Sequence, residues 1–163
     1  MVTRAIIPWP DKRLQTVAAP VVEITDETLA IWDEMIEVMD AMPGYGLAAP
    51  QLGILQRLAV VDCSEERGQA VRIANPEILA ASDDLFAWDE AAPNLPGLSA
   101  QIKRPATVTV GFVDETGAPT EREFKDLWAT SVQHQVDHLN GKMFFDRLSR
   151  TKRSMLLKKA QKR

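Results

Sequence analysis

Residues 133–141 read Gln-His-Gln-Val-Asp-His-Leu-Asn-Gly, and both histidines of the chain, His134 and His138, fall inside this stretch. Residues 126–140 carry Leu127, Trp128, Val132, Gln135, Val136 and Leu139 at helical spacing, and Gly141 follows where a helix would stop. On that helix two imidazoles four positions apart share a face, with Cβ atoms about 6 Å apart. This is the spacing by which one helix offers two nitrogens to one metal ion. The competing reading is one buried, hydrogen-bonded histidine and one surface histidine.

Working outward, residues 44–51 read Gly-Tyr-Gly-Leu-Ala-Ala-Pro-Gln, a glycine-punctuated stretch after a second helix. That helix is expected over 25–42: Thr25 or Asp26 can cap it, and Leu29, Trp32, Met35, Ile36, Met39 and Met42 recur at steps of three and four. Its methionines read as core filler. Strands are expected at 57–62, at 71–74 (stopped by Asn75-Pro76), as a pair or bent strand within 77–89, at 106–113 and at 120–124. Strands grouped before a late helix indicate an α+β fold.

Composition narrows the function classes. The chain has 163 residues, 45% hydrophobic and 26% charged, which suits one domain over 1–163 with a packed core. A net charge of -4 argues against whole-surface nucleic-acid binding, and no specific DNA binding is expected. A single cysteine, Cys63, excludes an internal disulfide framework and a cysteine-rich zinc module. No apolar run is long enough to span a membrane and the first residues lack a signal-peptide pattern, so a cytoplasmic location is expected. Charge is uneven: 142–163 holds nine basic residues against Asp146, a net +8 in a chain of net -4, which leaves -12 elsewhere. This basic C-terminal segment reads as a solvated helix or end, or as a docking tail for an anionic partner such as RNA.

The pattern Gly-x-Gly-Leu-Ala-Ala-x-Gln at 44–51, followed far downstream by Gln-His-x-x-Asp-His-Leu-Asn-Gly, resembles the peptide deformylase family. Pro10-Asp11 with Leu14, Ala19-Pro20-Val21, Asn75-Pro76, Arg104-Pro105 and Gly141-Lys-Met-Phe-Phe-Asp-Arg-Leu148 extend the resemblance over almost the whole chain. It implies small antiparallel or mixed sheets packed around a central late helix carrying His134 and His138. It also implies metal-dependent hydrolysis, with iron or zinc, of the N-formyl group on the initiator methionine of nascent polypeptides.

Aligned on Arg104-Pro105, the family's middle motif Glu-Gly-Cys-Leu-Ser-x-Pro-Gly falls on Glu90, Ala91, Ala92, Pro93, Asn94, Leu95, Pro96 and Gly97. Ala92 stands where the family has its cysteine metal ligand, and Pro93 where a leucine N–H faces the oxyanion. Gln135 stands where the family has its catalytic glutamate. Gln51 is retained. His134 and His138 are thus expected to hold at most a weak or vestigial divalent metal, with no tightly bound cofactor. Three functions follow from the resemblance. One is a catalytically impaired homologue that binds a formyl-methionine peptide, a nascent chain or the ribosome. Another is a hydrolase with a rebuilt metal site, using Asp89, Glu90 or Cys63, on formylated or other N-acylated substrates. The third is a non-catalytic interaction subunit. Glu90 and Arg104 are expected to form a structural ion pair, and Asp137 to orient its neighbours.

Overall fold

The computed structural model describes residues 4–162. Three α-helices occur among them: α1 (Asp26–Ala41), α2 (Leu127–Leu139) and α3 (Arg150–Gln161). The strands are β1 (Gly46–Ala48), β2 (Leu58–Val61), β3 (Val71–Ala81), β4 (Leu85–Ala91), β5 (Ser99–Pro105), β6 (Thr107–Val113) and β7 (Pro119–Lys125). They form a five-stranded sheet in the order β1-β2-β3-β6-β7 and a separate β4-β5 hairpin. Every strand pair is antiparallel, and the one parallel element is an isolated bridge between Ala19 and Gln56. The fold is α+β, with α2 placed between the sheet and the hairpin.

Both faces of the sheet are covered, and β2 shows how. Its residues alternate, Leu58 and Val60 packing with α1 while Ala59 and Val61 join the layer under α2. On the α1 side Ile31, Trp32, Met35 and Met39 are buried, so these two methionines are indeed core filler; Met42 stays partly exposed. Thr25 caps α1 by accepting from the Thr28 N–H, and Thr28 returns the bond to the Thr25 N–H. On the α2 side Ala129, Val132 and Leu139 meet Val108, Val110 and Phe112 of β6, the strand whose alternation is plainest in the sequence. A third apolar cluster, including Ile7, Leu14, Leu95, Ile102 and Phe144, closes the end near the hairpin.

Two expectations need correction. The strand beginning at Val71 does not stop at Asn75-Pro76 but runs on to Ala81. Asn75 takes φ 51 and the register to β6 jumps between Ala74 and Glu77, so Pro76 sits in a bulge where it interrupts no ladder bond. The Asn75 side chain meanwhile accepts from the Val21 N–H and donates to the Val21 carbonyl. The basic C-terminal segment is also neither wholly solvated nor frayed: α3 is capped by Ser149 and docks through buried Leu156.

Candidate active site

Three segments converge on a cleft of about 390 Å³. From α2 come Thr130, Ser131, His134 and Gln135; from β1 and the turn after it come Gly46 and Gln51; from β4 and the turn after it come Trp88, Glu90, Ala92 and Pro93. The β1 strand lies so close to α2 that a Cβ on Gly46 would fall 2.5 Å from Gln135 Nε2 and 2.6 Å from Ser131 Oγ. A side chain at 46 would force Gln135 or Ser131 to move. The Ser131 hydroxyl fixes the approach by donating to the Tyr45 carbonyl at 2.8 Å.

The two imidazoles face one another, with His134 Nε2 and His138 Nε2 3.0 Å apart. His134 Nδ1 lies 2.8 Å from Glu90 Oε1. Burial alone would raise the Glu90 pKa, but its hydrogen bonds from Arg104 and His134 hold it below the usual carboxylate range. An ionised carboxylate only accepts, so Nδ1 of His134 carries the proton and donates to Glu90. His138 is held neutral, first by burial and then by the charges of His134 and Arg104. Its own Nδ1 is buried without a partner.

Behind His134 lies a chain of charges. Arg104, fully buried, donates Nε and Nη2 to the two oxygens of Glu90 at 2.7 and 2.8 Å, and Nη1 to Asp137 at 2.9 Å. Arg147 grips the same Asp137 through two further bonds. The expected Glu90–Arg104 ion pair is present, and Asp137 orients both arginines. Sequence reasoning did not find Arg147 or the Asp137 contact, because no local pattern links 104, 137 and 147.

The donor set can be tested against a catalytic metal. On a tetrahedral ion with metal–nitrogen bonds of 2.0–2.1 Å, two imidazole nitrogens stand about 3.3 Å apart, so the His134–His138 pair matches two corners. The remaining protein ligand is missing. Ala92 faces the cleft with a methyl group, and among the described residues no three His, Cys, Asp or Glu side chains are grouped to hold an ion. Glu90 is committed to Arg104 and His134, while Asp89 lies exposed at the cleft rim on the opposite face of β4 from Glu90. Cys63 packs beside the sheet core, its thiol 3.9 Å from the Tyr45 carbonyl. The rebuilt ligand set expected from Asp89, Glu90 or Cys63 is therefore not assembled, and the residues do not fit a three-ligand metal centre.

The Gln51 carbonyl accepts the Ala48 N–H at 2.9 Å and its amide donates one hydrogen to Asn94 Oδ1 at 2.7 Å. Asn94 in turn donates to the Ile7 carbonyl. One hydrogen of the Gln51 amide remains for the cleft. Asn94 is a second residue whose role the sequence did not announce. Pro93 lines the same cleft and has no N–H to offer. At the mouth, Tyr45 meets Trp88 edge-to-face at 6.2 Å and Trp88 stacks on Phe86.

Two imidazoles from one helix, a glycine strand with its glutamine and a hairpin wall frame a single cleft in an α+β protein. The family model described as polypeptide deformylase matches residues 3–154. Peptide deformylases of Afipia carboxidovorans and Methylocella silvestris are 42% and 41% identical to it. The alignments cover 99% of this chain in both cases, and 96% and 85% of the respective relatives. The crystal structure of a peptide deformylase from Legionella pneumophila superposes with a TM-score of 0.91 at 35% identity, covering 99% of this chain and 95% of that one. That of the Ehrlichia chaffeensis peptide deformylase in complex with actinonin gives 0.91 at 32% identity, over 99% and 98%. The chain belongs to the peptide deformylase family.

Proposed function

We propose that this chain captures the N-formyl-methionyl end of nascent polypeptides in the cytoplasm and hydrolyses the formamide poorly or not at all. The observation that carries this reading is the donor set that ends at His134 and His138, with the methyl of Ala92 where a thiolate would complete it. A metal-bound water reaches a pKa near 7 only when the cation is held in place. Gln135 has the shape of a glutamate but moves no proton, a loss worth roughly a hundred- to ten-thousandfold in rate. Pro93 withholds one oxyanion donor, roughly a hundred- to a thousandfold more. Such terms overlap when groups act as a unit. What supports binding is the intact groove with its free Gln51 hydrogen. A basic groove between β5 and α3, lined by Lys103, Arg147, Lys152 and Lys159, supports contact with the ribosome.

The test pairs metal analysis with a formyl-methionyl-peptide assay on the parent and on Ala92→Cys/Pro93→Leu/Gln135→Glu. The expected result is substoichiometric iron and zinc with negligible turnover in the parent, and both gained in the triple variant. Turnover by the parent within tenfold of the triple variant overturns the reading. Cosedimentation with ribosomes that is unchanged on deleting 150–163 removes the tail from it.

A further inference from the structure

The groove between β5 and α3 measures about 620 Å³ and shares no lining residue with the cleft. Its α3 wall carries Lys152, Met155, Leu156 and Lys159, so all four stand on one face of the helix. The two lysines bracket the apolar pair and lie two turns apart, about 10 Å along the axis. Leu156 is buried in the apolar cluster beneath, while Met155 is 59% exposed. Lys103 on β5 and Arg147 complete a rim of four cations, and among the described residues no acidic side chain lines the groove. The only lysine ion pair among the described residues is Lys125–Glu123, so the three lysines of the groove are unpaired. The first turn of α3 holds no acidic residue, and Lys152 there opposes the positive end of the helix dipole. The helix gains nothing from such a charge, and a residue that works against its own helix points to a role outside the fold.

We propose that this groove binds an acidic amphipathic helix of a partner protein, one that presents carboxylates seven positions apart on either side of two apolar residues. This rests on the reading of the groove as a docking surface and names the chemistry of what docks. Carboxylates at i and i+7 span the same two turns as Lys152 and Lys159, and the apolar pair between them meets Met155 and Leu156. Methionine suits that contact because its unbranched thioether adapts to the side chain it meets. Nucleic acid fits less well. Its phosphates would find the lysines, but no aromatic side chain lines the groove to stack a base, and the Arg147 guanidinium is committed to Asp137. Outside 142–163 the chain carries a net charge of -12, so an acidic partner is disfavoured over that remainder and steered to the groove.

The experiment titrates the full chain into a fluorescein-labelled peptide, two copies of Glu-Ala-Ala-Leu-Leu-Ala-Ala-Glu, and reads anisotropy at about 0.15 M salt, where exposed charges are largely screened. A scrambled peptide of the same composition and a single-stranded RNA of equal charge are run beside it. The patterned peptide is expected to bind at least tenfold more tightly than either control. Lys152→Glu/Lys159→Glu is expected to weaken it at least tenfold and Met155→Ala about fivefold, with circular dichroism unchanged because all three side chains are exposed. No binding of the patterned peptide, a control that binds as tightly, or affinity unmoved by both variants overturns the proposal. Ribosome cosedimentation that needs 150–163 while the peptide shows no preference refutes this inference alone. A clear preference with cosedimentation unchanged by that deletion refutes the ribosome contact alone.

Discussion

Replacing Arg104 by methionine should be the most damaging single change behind the site. The guanidinium is completely buried and makes two bonds to Glu90 and one to Asp137. Methionine fills much of the volume but leaves the Glu90 carboxylate buried with only His134 as partner. Breaking a buried pair in this way costs about 3–5 kcal/mol. For a chain of this size each kcal/mol moves Tm by about 2–4 °C, so the fall should be roughly 6–20 °C. The pH dependence has a definite sign. Glu90 and Asp137 both have lowered pKa values: burial pushes each upward, and hydrogen bonds and charges from Arg104 (with His134 for Glu90, Arg147 for Asp137) prevail. Their contribution is therefore present above the ordinary carboxylate range near pH 4 and lost as pH falls through the lower folded values. Without Arg104, Glu90 is left to burial. The gap in Tm between parent and variant should widen from pH 4 to pH 7. Circular-dichroism melts across that range read it, and Arg104→Met/Glu90→Leu, which removes both charges, should lose less than the two single losses combined. A neutral-pH Tm within about 3 °C of the parent refutes the claim that this ion network holds His134.

Two further perturbations test the cleft wall and the lone thiol. Gly46→Ala puts a Cβ 2.5 Å from Gln135 Nε2, so it should displace that side chain, cost about 1–3 kcal/mol through overpacking and weaken formyl-peptide binding at least tenfold in a tryptophan-fluorescence titration; unchanged affinity refutes the close approach. Burial, the leading effect, pushes the Cys63 thiol up to about 12, so at pH 8 iodoacetamide should label the folded chain at least a hundredfold more slowly than the urea-unfolded chain, with the folded rate rising about tenfold per pH unit; mass spectrometry showing similar rates in both states refutes it.

The helices were legible because their apolar positions keep one period. Trp32, Met35 and Met39 recur on one face of α1, and α2 can be read from Leu127 to Leu139. The strand β6 was legible for the same reason at period two. The strand β5 was not: Ser-Ala-Gln-Ile-Lys-Arg-Pro offers only Ala100 and Ile102 as apolar inward residues, and the next inward residue is Arg104. An arginine reads as surface until its partners are known, and those partners are 14 and 33 positions away. The extension of β3 past Asn75-Pro76 was hidden likewise, because a proline ends a strand only where its N–H is needed in the ladder. At the site, spacing alone paired His134 with His138. The Nδ1 contact to Glu90, the Gln51–Asn94 bond and the unpaired oxygens of Thr130 and Gln135 depend on segments that only the fold brings together.

The parts of the site differ in what the fold requires of them. Glu90, Arg104, Asp137 and Arg147 form a set in which removing one member strands another in a low-dielectric interior. The orientation of His134 is an outcome of that set, so it persists for reasons of stability whether or not an ion is bound. Ala92, Pro93 and Gln135 answer to no such constraint. The first substitutes a methyl for a larger side chain, the second occupies a turn, and the third keeps the outline of a glutamate without its charge. None of the three carries a buried charge that must be matched. Chemistry at the cleft wall is thereby separable from the scaffold beneath it: the groove and its histidines can be held in place whatever stands at 92, 93 and 135. Ala92→Cys and Pro93→Leu, which add no permanent buried charge, should change Tm of the metal-free chain little, whereas any change to the four charges beneath should move Tm first.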